Sequence, residues 1–357
     1  MAVTRLDNRQ APNAHFLQTP LSGLAKSLTL GPNADAQRRR FGSRRRKTIM
    51  TKSAGIHHIT GIAGSPRRHV EFYTRVLGLR LVKRTVNFDD PSTWHLYYGN
   101  ETGAPGTALT FFIWDDRPAG RPGVSQAVET AFAIPESSIG YWASRLVEKS
   151  VPHEAPERRF GETVIGLRDP YGLRLELVGS RAAAAASGWA GDVPAEHAIR
   201  GFFGVTLWLE NPAATANVLT EVLGFAAKGS EDSRQRFAAE GPLGANVDLR
   251  TVPGAFAGSL GPGTLHHVAF RAAGDADQAA MADAVRRLGL RPTDQIDRRY
   301  FRSVYFREPG GVLCEIATDD PGFTLDEPKE SLGTVLQLPP WYEAKRAEIE
   351  KALPPLE

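Results

Sequence analysis

The chain has a single cysteine, Cys314, in 357 residues, so it can form no intramolecular disulfide and no multi-cysteine zinc or iron–sulfur site. That scarcity fits a reducing, cytoplasmic setting. No apolar run approaches the roughly 20 residues needed to cross a bilayer, which argues against a membrane helix and against a secretory signal. A basic body is also missing. The formal charge of +3 hides a segregation: residues 1–49 hold ten Lys/Arg against Asp7 and Asp35, leaving 33 basic and 38 acidic residues for the remainder. The body therefore lacks the electrostatic footprint of a nucleic-acid-binding domain. What is present is globular, with 41% hydrophobic and 23% charged residues. The length exceeds the usual size of one core, so two domains are expected.

Residues 1–49 end in Arg38-Arg39-Arg40 and Arg44-Arg45-Arg46-Lys47, show no apolar periodicity, and precede a second methionine, Met50. Such composition is expected to be disordered. Three readings are open: a tail for nucleic acid or an anionic surface, an organelle presequence, and a start codon set too far upstream. The run Met50-Thr51-Lys52 leads straight into the first strand and favours the last.

An internal repeat organises the rest. Gly55–Ile62 alternates like a strand, and Ser65-Pro66 opens a helical stretch through Val76 that Gly78 closes. Strand-like runs follow at Arg80–Phe88, Trp94–Gly99 and Ala108–Trp114, giving the order βαβββ. The order returns with Gln126–Ile134, a helix near Ile139–Lys149, and strands around His153–Pro156, Thr163–Arg168 and Arg174–Val178. Third and fourth copies begin at Phe202–Glu210 and Thr264–Ala272, with helices across Ala213–Val222 and Asp275–Leu288. Copies two and four share a late turn: Arg168-Asp169-Pro170-Tyr171-Gly172 leads to Glu176 as Arg307-Glu308-Pro309-Gly310-Gly311 leads to Glu315. The expected fold is therefore α+β, four βαβββ modules in two tandem domains. These are residues 50–180 (modules 1 and 2) and 199–322 (modules 3 and 4), joined by a linker at 181–198. A tail at 323–357 carries a short helix within Trp341–Leu353.

Chemistry concentrates on two of the four first strands. Module 1 carries Ile56-His57-His58-Ile59-Thr60 and module 4 carries Leu265-His266-His267-Val268-Ala269, whereas the first strands of modules 2 and 3 have no histidine. Strand side chains alternate between faces, so one histidine of each pair is expected in the concave side of its sheet. His57 shares a face with Ile59, and His266 with Val268 and Phe270, which leaves His58 and His267 for the cup. Glu315 sits in an otherwise apolar last strand between Leu313 and Ala317, where a carboxylate needs a cation. Two imidazoles and one carboxylate on one side of a divalent ion form the arrangement of non-haem Fe(II) oxygenases. The metal ligands are thus expected to be His58, His267 and Glu315. Glu176 holds the equivalent place in module 2 without histidines to join it, and is expected to be salt-bridged to an arginine.

With these motifs, and with Leu81-Val82-Lys83-Arg84-Thr85, His95-Leu96-Tyr97-Tyr98, Gly103-Ala104-Pro105-Gly106-Thr107, Arg159-Phe160-Gly161 and Tyr300-Phe301-Arg302-Ser303-Val304-Tyr305, the chain resembles the vicinal oxygen chelate superfamily. Within it, the chain is similar to hydroquinone-type ring-cleaving dioxygenases from Gly55 to about Leu338. The resemblance implies Fe(II), with Mn(II) as the alternative, held by modules 1 and 4 together. It implies a small aromatic substrate with O₂, and no nucleic-acid or membrane partner. It places Arg298 and Tyr305 in the substrate pocket, and His57 and His266 behind the ligand histidines. One departure adds positive charge near the pocket, at Arg299 and Arg302, where relatives carry a glycine and an acidic residue. Catechol extradiol enzymes take a metal histidine from module 3, which has none here. Glyoxalase-type enzymes need a fourth protein ligand, and Ala108–Ile113 has no carboxylate to provide one. Two other classes stay open: a metal-dependent lyase or isomerase acting on a thiol adduct, and a metal-free binding protein. The oligomeric state, a homo-oligomer included, is likewise open.

Overall fold

The computed structural model describes residues 52–356, and the expectations for residues 1–49 lie outside that range. Module 1 comprises β1 (Ile56–Ala63), α1 (Pro66–Glu71), β2 (Arg80–Asn87), β3 (Asp90–Gly99) and β4 (Ala108–Ile113). Module 2 follows as β5 (Gln126–Pro135), α2 (Ile139–Glu148), β6 (Glu157–Arg159), β7 (Glu162–Arg168) and β8 (Arg174–Ser180). Module 3 is β9 (Gly201–Leu209), α3 (Ala213–Glu221), β10 (Ala226–Glu231), β11 (Arg234–Ala238) and β12 (Asn246–Thr251). Module 4 is β13 (Thr264–Ala272), α4 (Asp275–Arg287), β14 (Ile296–Asp297), β15 (Arg302–Arg307) and β16 (Leu313–Thr318). A last helix, α5 (Arg346–Ala352), belongs to the tail. Among the described residues no helix is long and apolar enough to cross a membrane.

In every module the first strand pairs in parallel with the last, and antiparallel hairpins continue outward from it. Two eight-stranded sheets result, ordered β14-β15-β16-β13-β1-β4-β3-β2 and β10-β11-β12-β9-β5-β8-β7-β6. The antiparallel seams β1–β13 and β5–β9 join module 1 to module 4 and module 2 to module 3. Each sheet thus draws one module from each half of the chain. Modules far apart in sequence come to share a concave face.

The shared turn of modules 2 and 4 has a simple cause. The Asp169 carboxylate accepts the backbone N–H groups of Tyr171 and Leu173, and Glu308 accepts those of Gly310 and Val312. Gly172 and Gly311 complete the turns at φ 85° and 92°, a region that favours glycine. Both turns aim the next strand so that its carboxylate, Glu176 or Glu315, faces the cup.

Three expected elements differ in detail. The stretch His153–Pro156 makes only an isolated bridge from His153 to Leu167, and the strand begins at Glu157. Pro152 and Pro156 lack the N–H that a ladder needs. The first helix is α-helical only to Glu71 and continues as a π-turn over Phe72–Val76, with Phe72 and Tyr73 both buried. The closing helix starts at Arg346, after a tight 3₁₀ turn at Glu343–Lys345, and Trp341 remains half exposed.

His69, on α1, is fully buried among Tyr73, Tyr98 and Phe111, and neither ring nitrogen has a hydrogen-bond partner. Burial pulls its pKa down from 6.5 to about 3. Between those values the unfolded chain binds a proton that the folded chain excludes. Stability therefore falls as pH drops through that window, by on the order of 5 kcal/mol at its foot. Asp169 acts in the opposite sense, because burial raises its pKa from 3.8 to about 6 and its stabilisation is lost as pH rises through that range. A His69→Leu variant isolates the first effect. Its melting temperature relative to the unmodified protein is expected to rise by several degrees between pH 7.5 and pH 4.5. A constant difference would remove His69 as the source.

Candidate metal centre

β1, β13 and β16 bring His58, His267 and Glu315 to one point of the first cup, with one ligand atom from each lying within 4.8 Å of the others. Glu315 Oε2 is 3.3 Å from His58 Nε2 and 3.0 Å from His267 Nε2, and the two Nε2 atoms are 3.4 Å apart. All three residues are buried. Ser303 donates its hydroxyl to Glu315 Oε1, yet Oε2 makes no aligned hydrogen bond. A buried carboxylate oxygen facing two imidazole nitrogens without an aligned proton between them is the arrangement of atoms that share a cation. Burial alone would raise the Glu315 carboxyl, but the facing His58 and His267 outweigh it and hold it well below the usual carboxylate range. Burial likewise lowers His267, against the opposing pull of Glu315. The donor set fits a divalent metal with three protein ligands.

Alternation puts His58 and His267 in the cup as expected, but two bulges re-aim their neighbours. The β1–β13 register slips at Ile56/His58 and at Thr60/Gly61, where Thr60 faces His267 and Gly61 faces Leu265, so His57 and His266 are the extra residues. Strict alternation would turn them to the apolar side. Instead His57 Nδ1 lies 2.9 Å from His58 Nδ1, and His266 Nδ1 lies 2.7 Å from His267 Nδ1. His57 also meets the edge of Phe301, and His266 that of Phe112. Burial lowers the pKa of both.

The pocket beside the triad is walled by Phe88, Tyr97, Phe112, Trp114, Phe301 and Tyr305, with Arg298 and Asp89 at its polar side. Arg298 donates to Asp89 at 2.9 Å, and its guanidinium lies 5.4 Å from the Tyr305 ring centre. Burial first, then the Glu315 carboxylate, pushes the Tyr305 hydroxyl above its ordinary range, with Arg298 opposing. Tyr305 stands opposite Glu315 across the β15–β16 pair, and its ring meets His267 edge-on with centres 5.7 Å apart. Of the module 1 aromatics, Tyr97 and Phe112 line the pocket, whereas Trp94 and Phe111 lie on the other face in the core.

The sequence motifs assigned no role to several residues that the structure links together. Thr60 is 3.0 Å from His267 Nε2 and 2.9 Å from Thr110, which is 2.9 Å from His95 Nε2, while His95 Nδ1 is 2.9 Å from the Tyr97 hydroxyl. This polar line threads four residues of β1, β3 and β4. Only the register of those strands reveals it. Arg299 and Arg302 do not charge the pocket, because Arg299 pairs with Asp326 and Arg302 with Asp275. Arg299 also has φ 64°, a left-handed conformation that residues other than glycine seldom adopt. Its partner Asp326 belongs to a tail segment clamped to the sheet. Fully buried Lys83 ion-pairs with Asp326 and Glu327, and Phe323 and Leu332 close one end of the cup.

In module 2, Glu176 occupies the place of Glu315 but pairs with Arg159 at 2.7 Å. Among the described residues, the one cluster of three ligand types placed to hold a metal is His58, His267 and Glu315.

Comparison with known proteins agrees with this geometry. A profile of the Glyoxalase/Bleomycin resistance protein/Dioxygenase superfamily matches residues 55–177 and 202–316. The chain is 45% identical over 307 residues to "Putative ring-cleaving dioxygenase MhqO" of Bacillus subtilis (strain 168), which covers 86% of this chain and 97% of that protein. It is 33% identical over 311 residues to "Chlorohydroquinone/hydroquinone 1,2-dioxygenase" of Sphingobium indicum, which covers 84% and 95%. The crystal structure of a "putative dioxygenase" from Bacillus subtilis superposes with a TM-score of 0.83 at 43% identity, covering 86% of this chain and 98% of that one. Four βαβββ modules, a two-histidine, one-glutamate centre and a profile spanning both halves of the chain place this protein in the glyoxalase/bleomycin resistance protein/dioxygenase superfamily.

Proposed function

We propose that this protein opens a hydroquinone-type aromatic ring with O₂ at a divalent iron centre, Mn(II) being the alternative metal. The observation that carries the reading is the buried triad with its unpartnered Glu315 Oε2 beside an aromatic-walled pocket. The names of relatives 33–45% identical over most of the chain support it. His58, His267 and Glu315 would hold the metal, which would supply Lewis-acid and redox chemistry toward a phenolic oxygen and O₂.

The protein's own groups do the rest. Phe112, Phe301 and Trp114 offer apolar faces to a ring and keep water out. The cavity beside the triad measures about 50 Å³. Tyr305 keeps its proton at neutral pH, which makes it a donor to a substrate oxygen and, after that transfer, an acceptor. Arg298, fixed by Asp89, sets positive charge where the opening ring gains negative charge. His57 and His266 hold the rings of His58 and His267 through their Nδ1 contacts, as groups behind metal ligands do.

The test is oxygen uptake by anaerobically Fe(II)-loaded protein offered hydroquinone, catechol and a methylglyoxal–thiol adduct in parallel. Hydroquinone is expected to disappear with one equivalent of O₂ and give a new absorbance from a ring-opened conjugated product. Catechol is expected to be poorer, since β9 has no histidine. Faster cleavage of catechol than of every hydroquinone, or equal turnover without oxygen, would falsify the assignment.

A further inference from the structure

The second sheet repeats the register of the first, so each residue of the metal cup has a counterpart. Ala131 faces Glu176 as Ala269 faces Glu315, which sets Glu129 where the first cup has His267. Thr206 faces Glu129 as Thr60 faces His267, which sets Gly204 in the place of His58. Gly166 faces Glu176 as Tyr305 faces Glu315. Gly166 lines the cavity of this cup, which measures about 530 Å³ against about 50 Å³ beside the triad.

The metal chemistry has been replaced by arginine chemistry. Glu129 is paired with Arg234 at 2.7 Å and Arg250 at 3.3 Å, and Glu176 with Arg159. Those two carboxylates are therefore already neutralised. Arg168 and Arg174 add two more guanidinium groups directly opposite one another across β7–β8, on the face that lines the cavity. Among the described residues neither pairs with a carboxylate; the Arg174 guanidinium lies 5.2 Å from the Trp208 ring centre, and its buried Nε has no hydrogen-bond partner. Six arginines and six carboxylates line the cavity in all, so the positive excess is local to the facing pair Arg168 and Arg174. The other four acids are Glu154, whose carboxylate lies over Gly166, and Glu157, Glu231 and Asp232; Glu154, Glu157 and Asp232 are exposed, where water screens them. Like charges facing across a strand pair repel, and a buried donor without a partner costs free energy.

We propose that the second cup binds a small oxyanion, a carboxylate or phosphate group, through Arg168 and Arg174. Two planar guanidinium forks on adjacent strands match the paired oxygens of such a group, and the ligand relieves both the repulsion and the orphaned Nε. The site is separate from the triad and does not depend on the reaction proposed for it.

The experiment titrates inorganic phosphate and cis,cis-muconate, with dimethyl muconate as the uncharged control, into the full-length metal-loaded protein at constant ionic strength. Calorimetry and thermal unfolding are the readouts. At least one oxyanion is expected to bind with one-to-one stoichiometry and raise the melting temperature, while the diester does neither. The two arms separate a phosphate from a carboxylate source. Arg168→Gln and Arg174→Gln are each expected to weaken binding about tenfold or more. Without ligand Arg168→Gln is expected to melt at or above the unmodified protein, because one of the two repelling charges is gone; Arg174→Gln gives up its contact with the Trp208 ring as well and is read by affinity alone. Glu315→Ala should retain binding. Absence of binding by both oxyanions, unchanged affinity in both arginine variants, or loss in Glu315→Ala alone overturns the proposal, the last by placing the anion on the metal.

Discussion

Glu315→Ala, His58→Ala and His267→Ala are each expected to yield protein without tightly bound metal, whereas Glu176→Ala keeps its full complement. The two glutamates occupy equivalent positions after equivalent turns, so sequence position alone does not separate them. Their neighbours do. Glu315 faces two imidazole nitrogens at 3.0 and 3.3 Å, and Glu176 faces the Arg159 guanidinium. Removing one ligand of three should cost metal affinity more than the roughly 10–100-fold typical of losing an outer partner, and ring opening should fall with it. Glu176→Ala should instead lose stability. It leaves the largely buried Arg159 without its inner carboxylate, and breaking such a pair costs about 3–5 kcal/mol, less what Glu157 recovers at the rim. Elemental analysis and melting curves of the four variants are the measurement. Metal lost from Glu176→Ala and kept by Glu315→Ala would reverse the assignment of the modules.

Where the repeat spoke, the sequence was readable. The two histidine pairs, the Pro/Gly turns and the apolar strand around Glu315 are local patterns, and alternation selected His58 and His267 because a strand has only two faces. Other features depend on partners remote in sequence. The bulges at His57 and His266 exist because β1 and β13 must pair across some 200 residues with a two-place slip. That slip, not any local motif, keeps both Nδ1 contacts. Thr60, Thr110 and His95 look like ordinary strand residues until β1, β4 and β3 lie side by side. Arg299 and Arg302 read as pocket charges because their acidic partners, Asp326 and Asp275, stand 27 residues away in each case. The prolines at 152 and 156 did carry a local signal, since a ladder cannot use either nitrogen.

Tyr305→Phe is expected to keep the metal and the fold while slowing turnover by roughly 10²-fold or more, the usual contribution of a positioned proton-transfer group. The Tyr305 side chain is buried beside the Glu315 carboxylate, and Ser303 and Arg298 are hydrogen-bond neighbours of its hydroxyl. Removing the hydroxyl takes a hydrogen-bond neighbour from each, so a stability loss of about 0.5–1.5 kcal/mol is expected beside the kinetic effect. The ring itself stays, and with it the edge contact to His267. Because burial and the Glu315 charge raise the phenol's pKa, the hydroxyl remains protonated across the neutral range. Loss of Tyr305 as an acid should consequently lower kcat without adding an ionisation near neutrality to the pH profile. The split between kinetic constants separates this role from simple packing. A wall residue acts on substrate affinity and would move KM with kcat unchanged, whereas a proton donor in the transition state lowers kcat and kcat/KM together. Arg298→Gln provides the contrast. It should also reduce kcat, and in addition it removes the guanidinium charge from the pocket edge, so KM for an anionic or electron-rich ring should rise. Metal analysis of both variants, stopped-flow kinetics with hydroquinone and a pH profile from 6 to 9 distinguish the outcomes. Full activity in Tyr305→Phe would transfer the proton to another group of the pocket, of which His95, linked to Tyr97 and Thr110, is the nearest in chemistry.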